Sequence, residues 1–375
     1  MLDFDSIDKT LDLFERHLPG VKLYYSLKAN DDPAVLSHLR IRGLGFDVAS
    51  VNEISTALEA GAATEDLILS NTIKTPNCIR EIFRRRIAAT TIDNEYDLEA
   101  LALESTFHTH RPKILARIKL PALGVDINLN EKFGCSAEVA AALLFRATEL
   151  GLPADGVHFH VGTQCKNVES YRAGIETALQ VLLDLKDVMG LDLRTIDIGG
   201  GFPDEVAAAE CGGLEKFFTE LGAIVKNAQD LGYEVIAEPG RVIASGAGIA
   251  VSQVIGRNVH EGKEWIYLDD GIYGLYSTAH FEKRLFEFVP IGRKFESVGS
   301  FVVAGPTCDS LDVVGADVLL PTGIKAGDYV LAYNAGAYSI SVKSNFNGMG
   351  QISTTVSKHA VVEPAKASLR LVSGG

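Results

Sequence analysis

The chain has 375 residues, more than one ordinary domain, with 47% hydrophobic and 22% charged residues, a globular composition with apolar material for a large core. Its formal net charge of −14 disfavours nucleic acid and anionic membrane as partners. The five cysteines, Cys78, Cys135, Cys165, Cys211 and Cys308, form no Cys-x-x-Cys pair, which excludes a disulfide framework or zinc cluster as the first reading, and no metal is expected.

The start, MLDFDSIDKT, is acidic and lacks the apolar core of a signal peptide. No later stretch approaches the roughly 18 apolar residues of a membrane helix, so no membrane partner and a reducing, cytoplasmic setting are expected. From residue 21 the chain alternates in type. KLYYSLKA precedes the helical pattern PAVLSHLRIRG, and GFDVAS precedes VNEISTALEAGA. LILSN is followed by NCIREIFRRR, and ATTIDN by EYDLEALALES. KILARIKL leads through a loop to SAEVAAALLFRATELG. GVHFHVGTQ and TIDIGGGFP each precede a long amphipathic segment, and EVIAEPGR closes the series. Repeated strand–helix units imply parallel strands with right-handed crossovers. About eight units over roughly 250 residues is the size of a (β/α)8 barrel, with a doubly wound open sheet as the alternative. The run Arg84-Arg85-Arg86 reads as a solvated helix end.

After about residue 250 the rhythm changes. AVSQVIGRNV, EWIYLDDGIYG, KFESVGSFVVAG, ADVLLPTG, GDYVLAYNAGAYS and AVVEPAKASLRLV are strand-rich. The expected division is therefore a barrel over 1–250 and a mainly β domain over 251–375.

Several strand ends carry residues a buried strand does not need. Lys28 closes an apolar run and either reaches solvent or offers an amine to chemistry. Gly199, Gly200 and Gly201 end another strand, as a tight turn or as backbone N–H groups open to an anion. Glu238 and Arg241 follow the last one, as a structural ion pair or as separate contacts to a ligand. His158 and His160 are two apart, hence on one strand face. They read as packed core residues, as a metal pair without a carboxylate at obvious ligand spacing, or as an imidazole stacked on a flat cofactor. Cys308 and Asp309 sit in the loop AGPTCDSLD, where a thiol is less ordinary than in a core. An amine, an anion nest, a carboxylate, an arginine and a flat stacking partner together match the needs of pyridoxal phosphate.

With these motifs in this order, the chain resembles the fold type III pyridoxal-phosphate decarboxylases, the ornithine/lysine/diaminopimelate/arginine group related to alanine racemase, over nearly its whole length. The resemblance implies an α/β architecture, an alanine-racemase-like (β/α)8 barrel with a C-terminal mainly β domain. In YYSLKAN, Lys28 is implied as the Schiff-base lysine. In FDVASVNEI, Asp47 and Glu53 lie near it. In LARIKL, Arg117 helps hold the lysine and cofactor region. In FHVGTQ, His160 stacks on the pyridine ring, and Thr163 stands where relatives often have serine at a phosphate contact. Gly200, Gly201 and Arg241 grip the phosphate, Glu238 holds the ring nitrogen, and Tyr338 of NAGAYS reaches the phosphate. GPTCDS resembles a loop supplied by the partner of a homodimer with shared active sites. Cys308 is then the proton donor and Asp309 meets the substrate's distal end, with Phe346 in the segment that follows.

The implied reaction is decarboxylation of a basic amino acid, ornithine or lysine, to a diamine feeding polyamine synthesis. A carboxylate at Glu238 favours a protonated ring nitrogen and a deep electron sink, which argues for decarboxylation over racemization. CDS resembles the ornithine/lysine members. The second acidic contact of those enzymes falls here on Phe281-Glu282-Lys283, where Glu282 stands for the expected aspartate and is one methylene longer. That departure keeps open a larger or conjugated amino acid, of carboxyaminopropyl or diaminopimelate type. A non-catalytic regulator of antizyme-inhibitor type is the third reading, opposed by intact Lys28, Glu238, Arg241 and Cys308. Only about twenty residues precede KLYYSLKAN, so where relatives add a strand to the β domain, either a slightly different β domain or a short helix in place of that strand is expected.

Overall fold

The computed structural model of the protein describes residues 1–121, 123–292, 297–349 and 352–357. The chain opens with a two-residue strand, β1 (Leu2–Asp3), and a helix, α1 (Phe4–His17). Eight parallel strands then close into a barrel. They are β2 (Lys22–Ser26), β3 (Gly45–Val48), β4 (Leu67–Leu69), β5 (Ala89–Ile92), β6 (Lys113–Ile118), β7 (Ala154–Phe159), β8 (Thr195–Asp197) and β9 (Glu234–Ala237). Pairing of Lys22 with Ile236 joins the first strand to the last and excludes the open doubly wound sheet.

The helices between them start where the sequence supplies a cap. Asp32 accepts from Ala34 N ahead of α2 (Pro33–Ile41), and Ser50 accepts from Glu53 N ahead of α3 (Val51–Glu59). Thr75, Asn94, Ser136 and Asn167 do the same for α4 (Pro76–Arg84), α5 (Glu95–Ser105), α6 (Ala137–Glu149) and α7 (Val168–Met189). Each cap satisfies an orphan N–H of the first turn, about 1 kcal/mol apiece. Arg84 ends α4, and Arg84 and Arg85 both pair with Glu81. Tyr24, Ile68, Ala89, Leu115 and Ile236 fill the barrel interior from five different strands. This packed floor leaves chemistry to the C-terminal strand ends.

The chain divides into two compact units, Lys9–Val242 with the barrel, and Met1–Asp8 together with the residues from Ile243 onward. The second unit is built on a six-stranded sheet. Its strands are β10 (Ala250–His260), β11 (Lys263–Leu268), β12 (Phe288–Pro290), β13 (Val298–Ala304), β14 (Val313–Pro321) and β15 (Tyr329–Ala332), in the order β12-β15-β10-β11-β13-β14. Val254, Ile266, Phe301, Val303, Leu320 and Val330 form its core. The stretch EWIYLDDGIYG is strand only to Leu268. Beyond it Asp270 accepts from the amides of Gly271 (2.8 Å) and Leu275 (3.1 Å) and turns the chain. AVVEPAKASLRLV lies outside the described residues. The N-terminal stretch supplies both a helix and a strand: β1 pairs in parallel with β16 (Val356–Ser357).

Candidate functional site

Lys28 lies in a single 3-10 turn directly after β2, so its side chain leaves the barrel wall at a C-terminal strand end. Its Nζ donates to Asp47 Oδ2 at 2.6 Å, and the two side chains are 45% and 2% exposed. Parallel pairing sets Ser26 opposite Asp47. Ser26 Oγ is 2.8 Å from Asp47 Oδ2 and 3.0 Å from the backbone oxygen of Glu238, so this hydroxyl ties strands β2, β3 and β9 around the amine. Glu53 sits behind them in the first turn of α3: its N donates to the N-cap Ser50 Oγ (3.2 Å) and its Oε2 accepts from Ala49 N (2.6 Å). Burial raises its pKa, and the nearby Asp47 adds to the shift against the Ala49 amide.

Four ionisable residues line the barrel interior beside this amine. Arg117 is buried on β6, and its Nε and Nη2 have no hydrogen-bond partner among the described residues. Burial lowers its pKa while Glu238, Asp93 and Asp47 oppose the shift, and a guanidinium so placed remains charged. Register then gathers the other three. His158 of β7 lies opposite Asp197 of β8, and Asp197 lies opposite Ile236 of β9, two residues before Glu238. With a side-chain period of two, all three point inward. Glu238 Oε1 accepts from Ser70 Oγ, and His158 Nε2 is 3.3 Å from Glu238 Oε2. One ligand-type atom from each of His158, Asp197 and Glu238 lies within 4.8 Å of the others. The sequence offered no carboxylate at ligand spacing to His158. The fold supplies two, because barrel register joins residues 39 and 80 positions away, separations invisible to local spacing.

His160 follows β7. Its Nδ1 accepts from Gly162 N at 3.0 Å, which leaves the ring proton on Nε2. Burial first, and Arg117 second, hold its pKa well below the ordinary histidine value, so the imidazole is neutral. The glycines after β8 line its edge: a Cβ on Gly200 would meet Glu238 O at 2.7 Å and His160 Nε2 at 3.2 Å. Gly201 has φ +89° and no room for a side chain, with Gly162 O at 2.2 Å from the ideal Cβ. Thr163 is tied by its backbone to Ile127 (3.0 Å) and Asp126 (2.9 Å) in the neighbouring loop. Arg241 is buried just past β9.

The remaining expected residues belong to the second unit. Cys308 is exposed, and its N donates to Asn347 Oδ1 at 3.0 Å. Asp309 accepts from Leu311 N (3.0 Å) and from the hydroxyl of Tyr273. Those two donors hold its pKa below the ordinary carboxylate range. The Tyr273 ring stacks on Phe346 at 4.6 Å, so Cys308, Asp309 and Phe346 share one loop cluster. Asp312, buried beneath it, accepts from Ile272 N (2.9 Å), Thr307 N (3.1 Å) and Thr307 Oγ1 (2.7 Å). Glu282 terminates the short helix Ser277–Phe281, and Tyr338 has φ +51° with its carbonyl accepting from Ser277 Oγ at 2.8 Å. Sequence reasoning missed Ser70, Asp197, Tyr273 and Asp312. Asp197 had a signal, a carboxylate two residues before a glycine triplet at a strand end; Ser70 looked like any turn serine.

The barrel residues fit pyridoxal phosphate. The glycine stretch is a side-chain-free cradle, Arg117 has unsatisfied buried donors, and the donor set pairs an amine with a neutral flat imidazole and a buried carboxylate.

Comparison with known proteins agrees with that fit. Residues 4–245 match the family model described as pyridoxal-dependent decarboxylase, pyridoxal binding domain. Ornithine decarboxylase 2 of Drosophila melanogaster is 31% identical over 362 residues, covering 92% of this chain and 88% of its own. The lysine/ornithine decarboxylase of Selenomonas ruminantium is 30% identical over 347 residues, covering 92% and 85%. The crystal structure of the Vibrio vulnificus lysine/ornithine decarboxylase complexed with cadaverine superposes with a TM-score of 0.84 at 31% identity, over 96% of this chain and 94% of that one.

Proposed function

The chain belongs to the pyridoxal-dependent decarboxylases, and from that premise we propose that it removes the α-carboxylate of a basic amino acid, ornithine or lysine, giving a diamine and CO2. The observation that carries this is the Lys28 amine, held 2.6 Å from buried Asp47 at a barrel strand end. Pyridoxal phosphate supplies, when bound, an aldehyde for that amine and a ring that takes up the electron pair left by decarboxylation.

The chain's own residues do the rest. Asp47 and Ser26 fix the Lys28 amine, and would hold it in place beside a bound cofactor's aldehyde. Glu238 holds a proton at the ring nitrogen, as an ionised buried carboxylate can. His160, neutral, stacks on the ring without competing for its electrons. Gly200, Gly201, Thr163 and Arg241 bind the phosphate, with Arg117 beside the lysine. By the family resemblance Tyr338 adds a phosphate contact, Cys308 returns a proton to Cα, and Asp309, Glu282 and Phe346 receive the distal end. An ammonium there would meet a carboxylate already held ionised, a charge-assisted contact. The same resemblance makes the working form a homodimer with exchanged Cys308 loops, and the exposed thiol and the exposed Leu311 on that loop support it. A cytoplasmic role in polyamine supply completes the proposal.

The test is CO2 release from a panel of L- and D-ornithine, lysine, arginine and diaminopimelate, by wild type and Lys28→Ala. Release from ornithine or lysine, absent in Lys28→Ala, is expected, as is a pyridoxyl mass on Lys28 after borohydride. Glu282 favours a second reading, since it is one methylene longer than the expected aspartate and is followed directly by the basic Lys283 and Arg284. Cofactor on Lys28 with no release from the whole panel would replace the first reading by a larger or conjugated substrate. Failure to take up cofactor would favour a non-catalytic regulator.

A further inference from the structure

We infer that Asp197 and Glu238 share a single proton, that it resides on Asp197, and that His158 and Ser70 are the positioning residues that keep it there, leaving Glu238 ionised toward the pyridoxal ring nitrogen. The inference rests on the reading of Glu238 as the ring-nitrogen partner and explains what makes that carboxylate dependable.

The geometry is asymmetric. Glu238 receives Ser70 Oγ on one oxygen and His158 Nε2 at 3.3 Å on the other. Asp197 receives only the Gly199 amide, at 2.8 Å on Oδ1, and its buried Oδ2 has no partner among the described residues. Asp197, His158 and Glu238 are 0%, 1% and 4% exposed, so water cannot screen two adjacent anions. Two carboxylates so close cannot both ionise, and the one with fewer donors keeps the proton. A proton on Asp197 Oδ2 then becomes a further donor toward Glu238. The charged groups around the pair fit this division: Lys28 and Arg117 face Glu238, and Asp47 adds to the negative field at Asp197. Burial, then Glu238, push Asp197 well above the ordinary carboxylate range. For Glu238 burial is outweighed by His158, Lys28 and Ser70, and its pKa falls well below that range. Without such a clamp, burial alone would tend to neutralise Glu238 and remove the ring nitrogen's counter-charge.

Two measurements test the assignment without relying on turnover. Infrared spectra of protein with isotope-labelled aspartate should contain a protonated carboxylic acid band at neutral pH, with and without cofactor, that Asp197→Asn removes. The labelling itself assigns the band to an aspartate even where that variant folds poorly. In holoenzyme loaded with ring-15N pyridoxal phosphate, the nitrogen shift should report a protonated ring in wild type and His158→Gln. In His158→Leu the pH midpoint for loss of that proton should drop by roughly one unit, the scale of one hydrogen bond to a buried charge. No aspartic acid band, a band that survives in Asp197→Asn, or an unchanged midpoint in His158→Leu would overturn the inference, as would a stoichiometric divalent metal bound by the three side chains. Wild type that takes up no pyridoxal phosphate would instead sink the reading of Glu238, and the infrared arm on the apoprotein would still decide where the proton sits.

Discussion

Among single residues, Lys74 departs from what its type predicts. Its side chain is fully buried, its Nζ donates to Thr91 O at 2.6 Å, and Asp97 lies 3.9 Å away. Burial brings the amine down to about 8 against the attraction of Asp97, whose own pKa burial raises. Removing one member of such a pair leaves the other buried and uncompensated. Lys74→Met is expected to cost on the order of 3 kcal/mol in urea unfolding, and Lys74→Met with Asp97→Leu to recover most of it. Simple additivity of the two substitutions would show that the pair is not coupled. The same contrast explains what was legible at this scale. Lys28, Gly200, Gly201, Glu238 and Cys308 each break a local rule, as a charge or a glycine run at a strand end or a thiol in a polar loop, and so stood out in the sequence. Ser70, Asp197 and Lys74 act only through neighbours brought close by barrel closure, and a linear reading carries no trace of those neighbours.

Turns and strand ends show the same division. Helix starts carry a local signal, since the caps Asp32, Ser50, Thr75, Asn94, Ser136 and Asn167 precede their helices by one residue. The turn after Leu268 was read as strand, because its organiser is a carboxylate rather than its glycines. Asp270 accepts two amides, and a side chain on Gly274 would collide with it at 1.8 Å. Burial raises Asp270 to about 6, opposed by the two amides and aided by Asp269 and Asp312. An unfolded aspartate titrates near 4, so the folded state binds the extra proton between about pH 4 and 6. The contribution of Asp270 to stability is therefore full below that window and is lost as pH rises through it. The Tm advantage of wild type over Asp270→Asn is expected to be larger at pH 5 than at pH 7. An equal advantage at both values would mean that Asp270 does not titrate there.

For the whole molecule, strand–helix alternation showed a parallel α/β sheet but left a barrel and a doubly wound open sheet both standing; the family resemblance pointed to the barrel, and the pairing of Lys22 with Ile236 closes it. The sheet order of the second unit was not legible: β12 and β15 pair across two intervening strands, and such long-range antiparallel choices leave no periodic signature. If the Cys308 loops are exchanged in a homodimer, mixing Lys28→Ala and Cys308→Ala chains should restore up to about a quarter of wild-type activity, and no restoration would argue for self-contained sites. Connectivity has its own outcome. The first residues belong to the unit that resumes at Ile243, with Leu2 buried, Asp3 N bonded to Ala247 O (2.8 Å) and Leu2 N to Thr355 O (2.9 Å). In chain terms the barrel is a guest spliced into a host that begins before it and finishes after it. Trimming Met1–Asp8 should thus loosen the host first: amides of β10 and β15 should exchange faster with deuterium while those of β3 to β8 keep their protection. A leader that looks dispensable would prove to be the thread that closes the seam.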